Sequence, residues 1–512
     1  MESSRRSGIL LHPTSLPGPF GIGDLGAETS RFIDFLQASG QQVWQMLPLG
    51  PTGYGNSPYQ TYSAFAGNPL LLSPERLHEE GLLSAGDLRG VPPFQPHRVD
   101  YDGVRAFKER LFWTAFETFQ RGAATRHDER LAAFIEQQQE WLDDYALFMA
   151  LKEVHQGRPW NRWGRDIARR EPEAVQGWRR TLAPRVRFHT FLQFHFFRQW
   201  QSLRDACQAH GIQLFGDVPI FVAHDSADVW AHPELFHLDE TGNPTVVAGV
   251  PPDYFSRTGQ RWGNPLYRWD LMAASGYTWW IQRLRVTRQM VDMIRLDHFR
   301  GFEAYWEVPA ADVTAINGRW VRGPGIAFFE TLRRTLGALP MVAEDLGLIT
   351  AEVRRLRLDL CLPGMRVLQF GFGGDPRDNE HAPHNYTRDC VVYTGTHDNN
   401  TSRGWLHEVE RPEYADVLDQ MKAERGMALK YMGTDGSEIH WDMIRQALGS
   451  VADMAVIPLQ DVLGLGHEAR MNYPGRAEGN WEWRYTADML IAVWADRLRD
   501  MTEIYGRGTA KP

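Results

Sequence analysis

The sequence predicts an α/β fold, a (β/α)8 TIM barrel with helical and loop-rich insertions between its strands. Eight short apolar runs recur along the chain, and most of them follow an amphipathic helical stretch. Nearly continuous apolar runs that alternate with helices are typical of parallel strands buried on both faces. Several of these runs also end in charged residues, and in such a barrel catalytic groups gather at the carboxyl ends of the strands.

The eight predicted strands are distributed over the whole chain. In chain order they are GILL (8–11), QVWQMLPL (42–49), IQLFGDVPIFV (212–222), VDMIRLDHF (291–299), PMVAEDLG (340–347), GMRVLQF (364–370), CVVYTGTHD (390–398) and AVIPLQD (455–461). Amphipathic helical stretches at 27–40, 187–211 and 278–291 precede the second, third and fourth strands.

The spacing of these strands is uneven, and the longest gap separates the second from the third. Because α/β barrels with insertions run long, 512 residues are compatible with a single domain. We expect one catalytic barrel domain over residues 1–512 with inserted subdomains. They lie at about 70–190, which reads as helical, and at about 223–280 and 400–452.

The composition is that of a globular protein, with 43% hydrophobic and 23% charged residues. A formal net charge of −9 disfavours a nucleic-acid or anionic-membrane partner. The sequence has neither an apolar window long enough for a membrane span nor a signal-peptide core. Cys207, Cys361 and Cys390 are far apart and read as thiols of a reducing compartment. We therefore expect a cytoplasmic protein.

Tryptophan is unusually frequent, with nineteen residues in the chain. Many of them stand beside Gly, Pro and Asn in loop-like segments such as YFSRTGQRWGNPLYRW and NYPGRAEGNWEWRY. Two interpretations stay open for each of them: the ring caps the core of a large domain, or it stacks on a flat, weakly polar ligand such as a sugar.

The fourth predicted strand ends in the charged run RLDHFR (295–300). Residues i and i+2 of a strand face the same side, so Arg295 and Asp297 are expected to point into the barrel together. An arginine beside an aspartate holds the carboxylate ionised, which is what a nucleophile requires.

Three other strands carry acidic residues at the same end. Asp217 ends the third strand, Glu344 and Asp345 end the fifth, and Asp398 follows His397 at the end of the seventh. A single such carboxylate more often caps a helix or forms an ion pair, and Asp345 is the best candidate for that structural role. Acidic residues at the same end of four strands favour glycosidic chemistry. In that chemistry one carboxylate attacks and a protonated carboxyl group donates to the leaving oxygen.

Other motifs are weak. GLGHEA (464–469) matches a dinucleotide-binding pattern, but the following RMNYPG opens no helix to hold a pyrophosphate. His224, His232 and His237 have a spacing that fits no common metal motif. The sequence also contains no Walker motif, no GxSxG and no HExxH, so we expect neither a metal nor a cofactor.

Longer strings resemble a known family. GDVPIFV, IRLDHFRGF, VAEDLG and YTGTHDNN resemble the four ordered signature regions of the α-amylase clan. Further strings narrow the resemblance to the 4-α-glucanotransferases of glycoside hydrolase family 77, the amylomaltases or disproportionating enzymes. These are SGILLHPTSLPGPFGIGDLG, GPTGYGNSPYQTYSAFAGNPLL, AGVPPDYFSRTGQRWGNPLYRWD, VLQFGFGG, PHNYT and IPLQDVLGLGHEARMNYPG followed by NWEWR.

The resemblance implies roles for the strand-end carboxylates. Asp297 would be the nucleophile, Glu344 the general acid/base and Asp398 the stabiliser of the transition state. Substrate-binding or supporting roles are implied for Arg295, His298, His397, Asp217, Tyr254, Phe255, Tyr54, Ser57, Tyr59 and Asn472.

The implied activity is transfer of part of an α-1,4-glucan to the 4-hydroxyl of another glucan or glucose, with retention. The implied substrates are maltooligosaccharides, amylose or glycogen-derived glucans; the oligomeric state stays open. An α-amylase-type hydrolase with the same three carboxylates is the main alternative. A non-catalytic glucan-binding protein and a metal- or nucleotide-dependent sugar enzyme are weaker ones.

Overall fold

A computed structural model of the chain describes residues 5–123, 128–252, 256–408, 418–476 and 478–508. Its strands are β1 (Arg6–Leu10), β2 (Val43–Gln45), β3 (Gln213–Pro219), β4 (Val246–Val250), β5 (Gln260–Pro265), β6 (Met293–Asp297), β7 (Ala304–Pro309), β8 (Arg319–Arg322), β9 (Met341–Ala343), β10 (Gly364–Val367), β11 (Cys390–Tyr393) and β12 (Met454–Pro458).

Eight parallel strands form the barrel, in the order β10-β11-β12-β1-β2-β3-β6-β9. The ends of this ladder meet where the Ala343 amide, in β9, donates to the Pro363 carbonyl beside β10 at 2.8 Å. All eight strands predicted from the sequence are present in the barrel, so the predicted (β/α)8 fold is confirmed.

The first and last strands of the barrel lie side by side. β1 pairs with β12 along its whole length, from Arg6 opposite Met454 to Leu10 opposite Pro458. Arg507, which is fully buried, fastens this seam because its guanidinium donates to the carbonyl groups of Arg6 at 3.0 Å and Ala452 at 2.8 Å.

Helices surround the barrel and fill most of its connections. They are α1 (Ala27–Ala38), α2 (Pro74–Glu79), α3 (Tyr101–Thr118), α4 (Asp128–Val154), α5 (Arg165–Ala168), α6 (Pro172–Thr181), α7 (Ala183–Ala209), α8 (Ala227–Ala231), α9 (Trp269–Ala274), α10 (Thr278–Met290), α11 (Gly325–Leu336), α12 (Ala351–Asp359), α13 (Ser402–Leu406), α14 (Leu418–Met432), α15 (Ile439–Gly449), α16 (Leu459–Val462) and α17 (Ala492–Ile504). Within the described ranges, none of them is long and apolar enough to cross a membrane.

The long connection between β2 and β3 is helical. It contains α2 to α7, and the two 27-residue helices α4 and α7 pack against each other. The inserted subdomains at about 70–190, 223–280 and 400–452 stay a prediction, although the helices between β2 and β3 agree with the expected helical content of the first.

A second sheet, which the sequence patterns do not predict, lies beside the barrel. Its strands are antiparallel in the order β5-β4-β7-β8. Because β7 and β8 follow β6 directly, the chain leaves the barrel after its fourth strand and returns only at β9. Strand β7 (AYWEVP) alternates between buried and more exposed residues, as expected for a sheet with one covered face.

The core supports the structural interpretation for many of the tryptophans. Five of them are among the largest fully buried side chains: Trp44, Trp200, Trp230, Trp280 and Trp441. Their polar edges are satisfied in part by backbone groups, as where the Trp44 indole N–H donates to the Leu11 carbonyl at 2.8 Å.

Replacing Gly8 by Ala is expected to destabilise the barrel. A Cβ at this position in β1 would lie 2.2 Å from the Val43 carbonyl oxygen of β2, so two paired strands would have to separate. Overpacking of this kind costs about 1–3 kcal/mol. Urea unfolding followed by tryptophan fluorescence measures the loss.

Gly177→Ala in α6 is the matched control, because its Cβ would meet no atom within 4 Å. Alanine in a helix interior is worth about 0.5–1 kcal/mol over glycine, so this variant should be slightly more stable than the wild type. Equal effects of the two substitutions would contradict the close approach of β1 to β2.

Candidate active site

The predicted carboxylates converge at the carboxyl ends of the barrel strands. Asp217 lies near the end of β3, Asp297 is the last residue of β6, and Glu344 follows β9 directly. Asp398 lies five residues beyond the end of β11. Because β3, β6 and β9 are consecutive neighbours in the sheet, the first three share one edge of the barrel mouth.

Arg295 joins two of these carboxylates. Its Nη1 atom lies 2.7 Å from Asp217 Oδ2 and 2.9 Å from Asp297 Oδ1. The β3–β6 register sets Asp217 opposite Arg295, and Asp297 lies two residues further along the same strand face. The expected pairing of Arg295 with Asp297 is therefore present in the structure, together with a second partner.

The Asp217 carboxylate has two side-chain partners, Arg295 and Tyr59. Besides Arg295, it accepts a hydrogen bond from the Tyr59 hydroxyl at 2.7 Å. Burial raises the pKa of the Asp217 carboxyl and Arg295 acts against this rise, while the charge of Asp297 adds to it. Burial lowers the pKa of Arg295, but Asp217 and Asp297 outweigh it and raise that pKa well above its usual value.

Glu344 is held by backbone amides. The His298 amide donates to Oε2 at 2.7 Å and the Leu346 amide donates to Oε1 at 2.8 Å. Burial raises the pKa of Glu344 to about 7; Arg295 lowers it, and the nearby charge of Asp297 raises it. The carboxyl group can therefore carry a proton near neutral pH.

His298, whose amide donates to Glu344, has an unusual backbone conformation. Its φ of 52° lies in the left-handed region, which non-glycine residues seldom adopt. Burial lowers the pKa of the imidazole to about 3, so the ring is neutral. Its Nε2 atom is buried without a hydrogen-bond partner among the described residues, and Trp262 meets the ring edge-on at 4.8 Å.

Asp398 is oriented by its neighbours and stays half exposed. The Asn472 side-chain amide donates to Oδ1 at 2.7 Å, and His397 Nε2 lies 3.3 Å from the same atom. Arg470 fixes the backbone here by donating to the Asp398 carbonyl at 2.7 Å.

His397 lies between aromatic rings. It stacks on Tyr59 with ring centroids 5.2 Å apart, and Trp481 lies at 5.9 Å. Burial lowers the pKa of His397 while Asp398 raises it, and the net direction is downward. A neutral imidazole at this position can donate or accept a hydrogen bond to a sugar hydroxyl.

The remaining predicted site residues are more peripheral. Tyr54 is 78% exposed, and Ser57 Oγ accepts a hydrogen bond from the Tyr59 amide at 3.2 Å, so Ser57 positions Tyr59. Tyr254 and Phe255 lie outside the described residues.

Asp345 has the structural role expected for it. It accepts the Met365 amide at 2.7 Å and lies 3.3 Å from Arg357 and 3.5 Å from Arg366. These contacts connect the segment after β9 to β10 and α12.

Sequence reasoning missed several contributors to the site. The Leu346 amide carries no signal in a sequence, and Trp262 and Trp481 stand in the aromatic loop segments for which two interpretations were left open. Arg470 directly follows GLGHEA, a motif that was considered only as a dinucleotide-binding pattern. Within the described residues, no group of three or more His, Cys, Asp or Glu side chains is arranged to hold a metal ion.

This geometry defines a class of protein. A carboxylate paired with an arginine and a carboxyl group with a raised pKa lie at the ends of neighbouring strands, with neutral histidines and aromatic rings around them. On a (β/α)8 barrel, two such carboxyl groups are the usual apparatus for cleaving or transferring a glycosidic bond.

Comparison with known proteins narrows the class. The family model for glycoside hydrolase family 77, described as 4-alpha-glucanotransferase, matches residues 11–489. A 4-alpha-glucanotransferase of Synechocystis sp. is 52% identical over 511 residues, 99% of each chain, and one of Thermus thermophilus is 51% identical over 505 residues, 98% of this chain and 99% of the relative. The amylomaltase of Streptococcus agalactiae in complex with acarbose has a TM-score of 0.93 at 38% identity, covering 99% of this chain and 100% of that one.

The chain therefore belongs to the 4-alpha-glucanotransferase family. It is an enzyme with 4-α-glucanotransferase activity, as the resemblance in its sequence predicted, and the alternative of an α-amylase-type hydrolase is not favoured.

Replacing Glu344 by Gln is expected to change the pH dependence of stability. The carboxyl pKa is about 7 in the folded chain against an ordinary value of 4.5, so the wild type loses stability as the pH rises through this window. The variant lacks this loss. As the pH rises through the window, its free energy of unfolding relative to that of the wild type should increase by about 3 kcal/mol. Urea unfolding at about pH 4.5, 6 and 7.5 measures the gain.

Glu438→Gln is the control. Hydrogen bonding to Arg497 lowers the pKa of Glu438, so the pH-dependent part of its contribution lies below its ordinary value of 4.5, and the Glu438→Gln difference should stay nearly level from about pH 4.5 to 7.5. A Glu344→Gln difference that stays constant with pH would contradict the raised pKa.

Proposed function

We propose that the protein transfers a segment of an α-1,4-glucan to the 4-hydroxyl of a second glucan or of glucose by a retaining double displacement. The observation that carries this proposal is the difference between two carboxyl groups on neighbouring strands. Asp297 is paired with the Arg295 guanidinium, whereas burial raises the pKa of Glu344 so that it can hold a proton. One group is suited to attack and the other to donate.

In the first step Glu344 donates its proton to the glycosidic oxygen while an Asp297 oxygen attacks the anomeric carbon. The bond from that carbon to the leaving oxygen breaks, and the reducing-end fragment departs with the proton. A β-linked glucosyl ester on Asp297 remains. Retaining chemistry of this kind predicts carboxyl groups about 5–5.5 Å apart.

In the second step Glu344 acts as the base. It takes the proton from the 4-hydroxyl of the acceptor sugar, whose oxygen attacks the anomeric carbon and releases Asp297. Two inversions restore the α-configuration, and Glu344 regains the proton it needs for the next cycle.

The surrounding groups support these steps. Asp398, oriented by the Asn472 amide, stabilises the positive charge that develops on the sugar ring. His298 and His397 are neutral, and we assign them hydrogen bonds to sugar hydroxyls in the donor subsite. Asp217 fixes Arg295 and so acts on the nucleophile from one step away.

Transfer prevails over hydrolysis when the acceptor sugar is better positioned than water, because a well-oriented group has a high effective molarity. We assign this positioning to aromatic side chains around the groove. Tyr54 is exposed on the turn that leads to Tyr59, and Trp262 lies against His298. The substrate-binding role that the resemblance implies for Tyr254 and Phe255 stays a prediction.

The proposed substrates are maltooligosaccharides, amylose and glycogen-derived glucans. The similar amylomaltase of Streptococcus agalactiae was solved with acarbose, which supports a site that holds an oligosaccharide. The proposed steps use only side chains of this chain. We further propose that the enzyme acts in the cytoplasm, in keeping with the free thiols of Cys207, Cys361 and Cys390.

Asp297→Asn is expected to abolish transfer. With maltotriose as sole substrate, the wild type should release glucose and form a ladder of products longer than the trisaccharide. Loss of the nucleophile should lower kcat by about 10⁴-fold or more. Chromatographic separation of products by chain length measures both.

Asp292→Asn is the matched control, since Asp292 precedes β6 at the opposite end of the barrel and pairs with Arg204. This variant should keep transfer, because that end of the barrel serves stability. Glucose and maltose as the wild type's only products would mean a hydrolase, and an active Asp297→Asn variant would refute the assigned nucleophile.

The pH dependence of transfer should follow Glu344. Because the leaving oxygen must receive its proton, kcat/KM is expected to fall above about pH 7, approaching a tenfold loss per pH unit. Initial rates of glucose release from maltotriose between about pH 5 and 9 check this. A rate that stays level to the alkaline end would exclude Glu344 as the proton donor.

A further inference from the structure

Trp320 forms an exposed aromatic platform on the second sheet. It lies in β8, directly opposite Trp306 of β7, and is 41% exposed. The guanidinium carbon of Arg300 sits 3.7 Å from the centroid of the Trp320 ring, so one face of the indole is covered. Arg300 is itself buried, at 5% exposure. The exposed area of Trp320 therefore lies on the parts of the indole that Arg300 does not cover, and Arg300 supports the ring from its covered face.

The platform is continuous with the rim of the active site. Arg300 belongs to the turn Phe299–Phe302, immediately after His298, and its guanidinium also donates to the Leu348 carbonyl. Leu348 is 57% exposed and lies four residues beyond Glu344. The segments that follow His298 and Glu344 therefore meet at Arg300, the residue that covers one face of Trp320.

A charged side chain shares the strand face of Trp320. In the β7–β8 register, Arg322 stands opposite Ala304 two residues from Trp320, so both project from the same face of β8. Arg322 is exposed. A flat apolar ring with a charged hydrogen-bonding side chain on the same strand face suits a ligand that has both an apolar face and many hydroxyls.

We propose that Trp320 and Arg322 form an outlying subsite that binds an α-glucan chain beyond the catalytic centre. A glucose ring of the chain stacks on the indole, and its hydroxyls bond to Arg322. This inference rests on the proposed function, because it takes the occupant to be the same glucan that Glu344 and Asp297 process. Short substrates do not reach the platform, whereas long ones gain binding energy from it.

Trp320→Ala tests the subsite by comparing substrates of different length. The KM for maltoheptaose or longer maltodextrins is expected to rise about five- to tenfold, the effect of truncating one aromatic anchor. kcat should stay unchanged, and kcat/KM for maltotriose should fall by less than about twofold. Trp320→Phe should restore most of the affinity, since it keeps a ring to stack on.

Val313→Ala is the matched control, because Val313 is 92% exposed on the loop between β7 and β8. It should leave both substrates unaffected. Arg322→Ala gives an independent reading if Trp320→Ala does not fold, and it too should weaken only the long donors.

Two results would overturn the subsite. Equal losses for maltotriose and maltoheptaose would mean that Trp320 acts through Arg300 on the catalytic centre. Unchanged KM for long donors in the Trp320→Ala and Arg322→Ala variants would mean that the platform binds no glucan. In both cases the wild type still performs transfer, so the proposed function would stand. The proposed function would fail only if the wild type itself formed no transfer products.

Discussion

The guanidinium of Arg295 holds two carboxylates at the mouth of the barrel, and the rest of the active site depends on this triad. Asp217 is completely buried and Asp297 three-quarters buried, so either charge alone would carry a large desolvation cost. One cation at 2.7 and 2.9 Å offsets that cost and the repulsion between the two carboxylates. Because strand register sets Asp217 opposite Arg295, the triad is a direct consequence of how β3 and β6 pair.

The neighbouring strand supplies a carboxyl group in a different electrostatic state. The Glu344 amide continues the β6–β9 ladder by donating to the Leu296 carbonyl at 3.1 Å, which brings this side chain beside Asp297. Arg295 already serves two carboxylates, so burial and the charge of Asp297 raise the pKa of Glu344. One cation shared among three acids therefore separates a nucleophile from an acid, and the barrel fixes which is which.

Patterns of local sequence explain why much of this could be predicted. Apolar runs alternating with helices identify parallel strands, and Arg295 and Asp297 share a strand face by simple periodicity. Contacts between distant segments carry no such pattern. The hydrogen bond from Tyr59 to Asp217 joins residues 158 positions apart, and the left-handed backbone at His298 is imposed by tertiary structure. The β7–β8 excursion was missed because its strands are short and half exposed.

The seam between β1 and β12 has a consequence for how the chain is made. Strand β1 lies near the start of the chain, and its partner β12 is synthesised more than 440 residues later. Arg507, which bonds to both sides of the seam, follows β12 in the chain. During synthesis the helices between β2 and β3 can form early, but the barrel stays open until its last strand has left the ribosome. Contacts of such long range slow folding and leave strand edges exposed meanwhile. The ring of strands is therefore complete only once β12 has paired with β1, although the neighbouring strands β3, β6 and β9 that carry most of the site can pair before then.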